Sequence, residues 1–284
     1  MASMRDIKRR KGSIQSTQQI TKAMKLVSTV KLQRAKQRAE QSKTYFDCMF
    51  ETVNSILQRT IGMKHRYLQP GETGKKAIIV ITSNRGLAGG YNSNIVKLIT
   101  KGEFAKEDLA IYAIGKKGKD ALARYGYEIA KDASDMIEEP SYPDAMCLCK
   151  ELLEQFAEGK ISEIYLAYTR FKNTVVHVPT MLKLLPVEVE QEEKGDETFI
   201  PMNFEMEDEE ALDMLIPKYI TSLIYGALVE AVASENGARM QAMDSATSNA
   251  EEMIDKLTLM YNRARQGSIT QELTEIIAGA EAIS

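Results

Sequence analysis

The sequence, 284 residues long, predicts two long helical arms flanking a central α/β domain, on three observations. The stretch from Ser13 to Ile61 holds neither Gly nor Pro and is rich in Gln, Lys, Arg, Ala, Met and Leu, which favours one long helix. A second run, from near Leu212 to the C-terminus, carries apolar residues at alternating spacings of three and four. Between them the period changes to short apolar runs broken by turn residues, as expected where strands alternate with helices in a mainly parallel sheet. The fold class is therefore α/β plus long helices. An antiparallel two-helix coiled coil is formed by the N- and C-terminal arms, with a central Rossmann-like α/β domain of mainly parallel sheet. The boundaries are residues 1–62 for the first arm, 75–190 for the α/β domain and 207–284 for the second arm.

In the first arm Ile7, Ile14, Ile20, Met24, Val27 and Val30 form an approximate helical stripe, and Lys and Arg hold most other positions. Such a helix is longer than a compact domain is wide and cannot bury its stripe alone, so it needs a partner. The second arm supplies one. Met240, Met243, Thr247, Ala250, Ile254, Leu257, Tyr261 and Ala264 trace the seam of a left-handed coiled coil, and the small residues Ser245, Ala246, Ser248 and Ala250 permit close approach. Pro217 marks a kink or an early turn of this arm.

The central elements follow in order. Lys76 to Thr82 reads as a buried strand, Ser93 to Thr100 as a helix, Leu109 to Ile114 as a strand and Lys117 to Tyr125 as a helix. Asp144 to Glu158 is a helix, Ile161 to Arg170 a strand, and Val175 to Leu185 a last, antiparallel strand turned back at Phe171-Lys172-Asn173-Thr174. The acidic stretch Glu188 to Glu197 reads as a solvated loop.

The net charge of -3 hides a segregation of sign. From Met1 to Lys43 there are 12 Lys and Arg against 2 acids, whereas from Val187 to Asp213 there are 12 acids against Lys194 alone. No apolar stretch approaches the roughly 20 residues that span a bilayer, the longest candidate being Ala77 to Ile81. The opening Met1-Ala2-Ser3-Met4-Arg5-Asp6 has neither the apolar core of a secretory signal nor a transit-peptide pattern, so a soluble, cytoplasmic chain is expected.

Candidate chemistry is sparse. Cys48, Cys147 and Cys149 have no metal-ligand spacing and are expected to be structural or incidental, a thiol switch at Cys147 and Cys149 being the minor alternative. The loop Ser83-Asn84-Arg85-Gly86-Leu87-Ala88-Gly89-Gly90-Tyr91-Asn92 sits between a strand and a helix, where α/β proteins bind phosphate. Its glycines nevertheless fit neither G-x-G-x-x-G nor the P-loop pattern, and a tight structural or partner-contact loop is the better reading. Gly115-Lys116-Lys117-Gly118 fails the same test. His65 and His177 are the only histidines and have no nucleophile pattern near them. The basic first arm could neutralise nucleic-acid phosphates, but no aromatic residue precedes Tyr45 to stack on bases, and an acidic protein partner explains the same charges. No catalytic constellation, cofactor site or metal site emerges.

Three separated stretches carry a resemblance. Met4-Arg5-Asp6-Ile7-Lys8-Arg9-Arg10 with Gln18-Gln19-Ile20-Thr21-Lys22-Ala23-Met24-Lys25-Leu26-Val27, then Thr82 to Asn92, then Ala238 to Ala250 together with Gln266-Gly267-Ser268-Ile269-Thr270-Gln271-Glu272-Leu273-Thr274-Glu275-Ile276-Ile277-Ala278-Gly279-Ala280 are similar to the gamma subunit of bacterial-type F-type ATP synthases. The resemblance implies a non-catalytic rotor shaft that couples ion flow through a membrane c-ring to ATP synthesis or hydrolysis in a head of alpha and beta subunits. It implies alpha, beta, epsilon and c-ring partners, no nucleic acid, no direct membrane insertion, no cofactor, and a peripheral place on the cytoplasmic face of the cell membrane. By the same resemblance Met24, Lys25, Arg239, Gln266, Thr270 and Glu272 face the catalytic head. Gly237 stands where that family commonly has Ala or Gln. Two other readings remain open on the residues: a nucleotide-binding α/β protein with a coiled-coil arm, which predicts micromolar ATP or dinucleotide affinity, and a coiled-coil nucleic-acid binder, which predicts strongly salt-dependent binding.

Overall fold

The computed structural model describes residues 4–59, 65–71, 74–102, 104–187 and 208–281. The element order is α1 (Met4–Arg59), β1 (Lys75–Ile81), α2 (Tyr91–Thr100), β2 (Leu109–Ile114), α3 (Lys116–Arg124), β3 (Ile129–Asp132), α4 (Tyr142–Ala157), β4 (Ile161–Phe171), β5 (His177–Leu185) and α5 (Asp208–Glu281). The chain divides into two compact units, Met1–Thr29 with Arg239–Ser284, and Val30–Ala238.

The first unit is an antiparallel helix pair. The hydroxyls of Thr21 and Thr247 share a hydrogen bond of 2.8 Å, and Lys25 Nζ reaches Asp244 Oδ1 at 2.5 Å, so moving up α1 means moving down α5. On α5 the expected seam holds: Met243, Ala250 and Leu257 are buried, and Met240, Thr247, Ile254, Tyr261 and Ala264 are partly buried. On α1 the expected stripe needs correction. Ile7 is buried and Ile14 half-buried, but Ile20, Val27 and Val30 are more than half exposed, while Thr21 and Ser28 are buried. The face that packs repeats every seven residues through Ile7, Ile14, Thr21 and Ser28, with Gln18 and Lys25 flanking it. Ile20 and Val27 precede these positions by one residue, about 100° around the helix, and so point outward. Two threonines meeting across the seam allow a closer approach than two isoleucines would.

α1 runs from Met4 through Gly12, where an added Cβ would meet nothing within 4 Å. A glycine inside a helix costs about 1 kcal/mol relative to alanine, too little to interrupt a helix this long.

The second unit holds a five-stranded sheet in the order β3-β2-β1-β4-β5, parallel except for the antiparallel β4–β5 pair. The strands expected from sequence are all present, and β3, a four-residue edge strand, was not expected. Its short Ile-Ala-Lys-Asp run is too polar to stand out. β1 shows how the sheet is buried on both faces. Ala77, Ile79 and Ile81 face one layer, with Val53, Ile56 and Leu57 of α1, Leu148 and Leu152 of α4, and Leu212, Ile216, Ile220, Ile224 and Leu228 of α5. Ile78 and Val80 face the other, with Ile95 and Ile99 of α2 and Leu122 of α3. α4 begins earlier than the predicted Asp144 because Ser141 caps it, accepting the Asp144 N–H at 3.3 Å.

Pro217 lies inside α5, in an early turn of the helix that starts at Asp208. Its carbonyl accepts the Thr221 hydroxyl at 2.7 Å and the Cys149 thiol at 3.6 Å. An 18-residue window of α5 reaches a mean hydropathy of 1.3, more apolar than the sequence reading allowed, and half of it is buried inside the protein. The residues that pack on the sheet account for that apolarity. The predicted acidic loop, Glu188 to Glu197, lies outside the described residues.

Candidate functional site

The loop after β1 is the place where an α/β sheet of this kind would hold a phosphate, and here three of its residues give oxygens to the start of α3, the helix after β2. Three consecutive backbone N–H groups at the start of α3 meet three consecutive residues of that loop. Lys116 N donates to Asn84 Oδ1 at 3.0 Å, Lys117 N to the Ser83 carbonyl at 3.1 Å, and Gly118 N to Thr82 Oγ1 at 2.9 Å. A helix N-terminus attracts anions because these groups lack intrahelical partners, and side-chain and backbone oxygens fill the role here. The fit is close: Gly115 has φ 113° and a Cβ on it would lie 2.1 Å from the Thr82 carbonyl oxygen, while a Cβ on Gly118 would lie 2.5 Å from Thr82 Oγ1. Asn92 secures the other side, its Oδ1 accepting from Ser83 N at 2.9 Å. The loop presents Leu87 outward, exposed and at φ 64°. The sequence reading of a tight structural loop agrees with this geometry.

Asp132, at the end of β3, accepts from Lys119 of α3 at 2.7 Å, from the Ser134 hydroxyl, and from the Ser134 backbone at 3.1 Å. Those hydrogen bonds, that of Lys119 foremost, hold its carboxyl down at about 2. Glu163 lies between Lys76 at 2.7 Å and Lys183 at 3.4 Å; burial alone would raise its pKa, but the two ammonium groups outweigh that and keep it ionised. Both are structural ion pairs within the sheet unit. His65 is buried, with Nε2 3.1 Å from Asp213 Oδ1, an oxygen that also accepts from Arg66 at 2.7 Å. Cys147 is exposed whereas Cys149 is buried, and burial pushes the Cys149 thiol up to about 11, leaving it a poor nucleophile. Among the described residues no three His, Cys, Asp or Glu side chains gather in a metal-binding group. A hollow of about 480 Å³ lined by residues such as Tyr67, Tyr142, Met146, Leu153 and Met214 is mainly apolar.

The residues expected to meet a partner all belong to the helix pair, at separate levels. Met24 and Lys25 are half-buried on α1, where Lys25 is engaged with Asp244. Arg239 is half-buried on α5. Gln266, Thr270 and Glu272 are exposed near the end of α5, where the Thr270 hydroxyl donates to the Gln266 carbonyl at 2.9 Å. Around them stands a feature that the sequence reading passed over. Ile269, Leu273, Ile276 and Ile277 are each at least half exposed and spaced to form one stripe on α5, while on α1 the exposed Ile20 and Val27 share a face and the exposed Leu26 stands about 100° around the helix from Val27. The spacing of the α5 stripe is readable in the sequence. Its exposure is not, because an apolar stripe reads the same whether its own chain covers it or not.

The comparisons point one way. Residues 3–283 match the family model described as ATP synthase. The chain is 63% identical over 291 residues to the ATP synthase gamma chain of Lachnoclostridium phytofermentans, covering all of both chains. Among solved structures it resembles a chain in the central stalk and c-ring structure of the Tetrahymena thermophila mitochondrial ATP synthase, at 25% identity and TM-score 0.58, over 80% of this chain and 99% of that one. It shares its fold with a chain of the Euglena gracilis mitochondrial ATP synthase OSCP/F1/c-ring structure, at 19% identity and TM-score 0.68, over 99% and 94% respectively.

Proposed function

Because this chain belongs to the ATP synthase gamma family, we propose that its helix pair is the part seated in the catalytic head and its sheet unit the part that meets the rest of the rotor. The family's place is the central stalk, the rotor of the complex. The partners on this reading are the alpha and beta subunits around the helix pair, and epsilon and the c-ring at the sheet unit. The chain then transmits torque and performs no chemistry of its own, the active sites lying on beta subunits, and it sits peripherally on the cytoplasmic face of the membrane.

The observation that carries the reading is the apolar exterior of the helix pair. Ile20, Leu26, Val27, Ile269, Leu273, Ile276 and Ile277 lie uncovered, and apolar rows of this extent mark surfaces that another protein covers. At the start of α3 the N–H groups that could face a phosphate are engaged by oxygens of Thr82, Ser83 and Asn84. Lys25, Arg239, Gln266, Thr270 and Glu272 supply the polar contacts, beside the apolar thioether of Met24. An arginine can fork two hydrogen bonds to a carboxylate, Gln266 and Thr270 lie one turn apart, and Glu272 offers an acceptor on another face. Met24 and Lys25 also pack between the helices, so their share of the head contact is the smaller.

The experiment is ATP synthesis, ATP hydrolysis and ion pumping in vesicles that hold fully assembled complexes with Arg239→Ala or Gln266→Leu. Synthesis or its coupling to ion flow should fall more than assembly does, because contacts that change during rotation act on a barrier as well as on binding. Unchanged rates and coupling in both variants would remove these residues from the contact set. The purified chain alone should show no ATP turnover, and turnover abolished by a substitution within it would overturn the non-catalytic reading.

A further inference from the structure

The tip of the β4–β5 hairpin is joined to α5 at three points in a row. The Ser234 hydroxyl donates to the Thr169 carbonyl at 3.0 Å, and the Glu230 carboxylate accepts the Phe171 N–H at 3.3 Å. The third point is His177, the first residue of β5, paired across the hairpin with Phe171. Its ring lies directly against the backbone of α5 at Gly237, where a Cβ would fall 2.7 Å from Cε1 and 3.2 Å from Nε2. Residues 230, 234 and 237 occupy successive turns of one helix face. Gly237 is the notch that admits the ring.

Both His177 ring nitrogens are shielded from solvent without a hydrogen-bond partner among the described residues. The neutral imidazole tolerates such a place at moderate cost. The imidazolium does not, since it adds a second N–H and a charge. The charged groups around this corner come from three elements: Lys36 of α1, whose ammonium lies 5.1 Å from the centroid of the Phe171 ring, Arg170 of β4, and Glu230 of α5. We propose that the row is a pH-sensitive latch: protonation of His177 drives its ring out of the Gly237 notch and frees the hairpin tip, with its exposed Val175 and Val176, from α5.

Burial holds His177 below the ordinary histidine value, and the neighbouring Thr174 backbone, which falls short of hydrogen-bond geometry, offsets only part of this. As pH falls through the ordinary histidine range the open form therefore binds the proton before the latched form does, and the latch weakens. Glu230 acts in the opposite sense. Burial raises its pKa, so the latched form takes up that proton first.

The test is amide hydrogen exchange of the full chain from pH 7.5 to 5, corrected for the chemical exchange rate and referred to β1. Protection of residues 171–181 should fall by about tenfold for each pKa unit that separates latched from open histidine. The fall should vanish in His177→Phe and persist in Glu230→Gln. A pH-independent hairpin, or a fall retained in His177→Phe, overturns the proposal. Should His177→Phe fail to fold, histidine NMR of the unaltered chain decides, with His65 as the internal control. The amides of Val178, Thr180 and Met181 must shift with the midpoint of His177, and any other midpoint overturns the latch.

Discussion

The sheet unit and the helix pair are built from the same chain by opposite rules. In the sheet unit the largest aliphatic side chains are fully enclosed: Ile78, Ile79, Ile81, Ile95, Ile111, Ile114, Leu148 and Leu152 are all less than 2% exposed. In the helix pair the buried row contains a threonine, a serine and an alanine as well as Ile7, Met243 and Leu257, and several of the larger residues face outward. The sheet unit satisfies its apolar surface internally. The helix pair uses small residues to bring two helices together and leaves much of its apolar surface exposed. Stability should therefore be sensitive to substitution in one unit, and assembly in the other.

The largest effect should come from Gly115→Ala. The backbone there has φ 113° and the added Cβ would sit 2.1 Å from a carbonyl oxygen, so β1, β2 and α3 must all shift. Denaturant unfolding should show a loss of about 4 kcal/mol. A loss below about 1 kcal/mol would show that the lock between Thr82 and α3 is not tight. Next comes Ile79→Ala, which removes a fully buried side chain from the larger core and should cost about 3 kcal/mol by the same measurement.

A smaller effect is expected at Asp132. Its carboxyl is held at about 2 by Lys119 and Ser134, below the usual 3.8. Because the folded value is the lower one, the contribution is present above the ordinary carboxylate range and is lost as pH falls from about 3.8 towards about 2. The side chain is 39% exposed, so solvent screening reduces the contribution to about 1 kcal/mol. Asp132→Asn should lose that amount at pH 7 and nothing further on acidification through this window. An unaltered acid profile relative to the native chain would remove Asp132 from the ledger of stabilising pairs.

The smallest effect on stability sharpens the comparison most. Ile276 is 67% exposed, so Ile276→Ser should change the unfolding free energy of the isolated chain by less than about 0.5 kcal/mol. Co-purification of alpha and beta subunits with the variant should nevertheless decline. Retained assembly together with a large stability loss would mean that the stripe packs within the chain, contrary to the contrast between the units.

Some of this was legible without coordinates. The lengths of α1 and α5, the order of strands and helices and the antiparallel last hairpin follow from propensity, period and turn residues, which are local properties. Motif spacing likewise argued against a phosphate site. It could not reveal that Thr82, Ser83 and Asn84 fill the N-terminus of α3, because that contact joins segments more than 30 residues apart. β3 escaped because four residues with two charges carry too little periodic signal.

What the sequence determined by itself is that α1 carries an apolar stripe that must be covered. Which face is covered by α5 was decided only in three dimensions. Ile20 and Val27 are the more hydrophobic candidates, yet Thr21 and Ser28 occupy the interface. Periodicity measures how apolar a face is, whereas pairing two helices depends on how closely their backbones can approach. A small hydroxyl residue that hydrogen-bonds across the seam, as Thr21 does with Thr247, gains more from that approach than a bulky one that holds the helices apart.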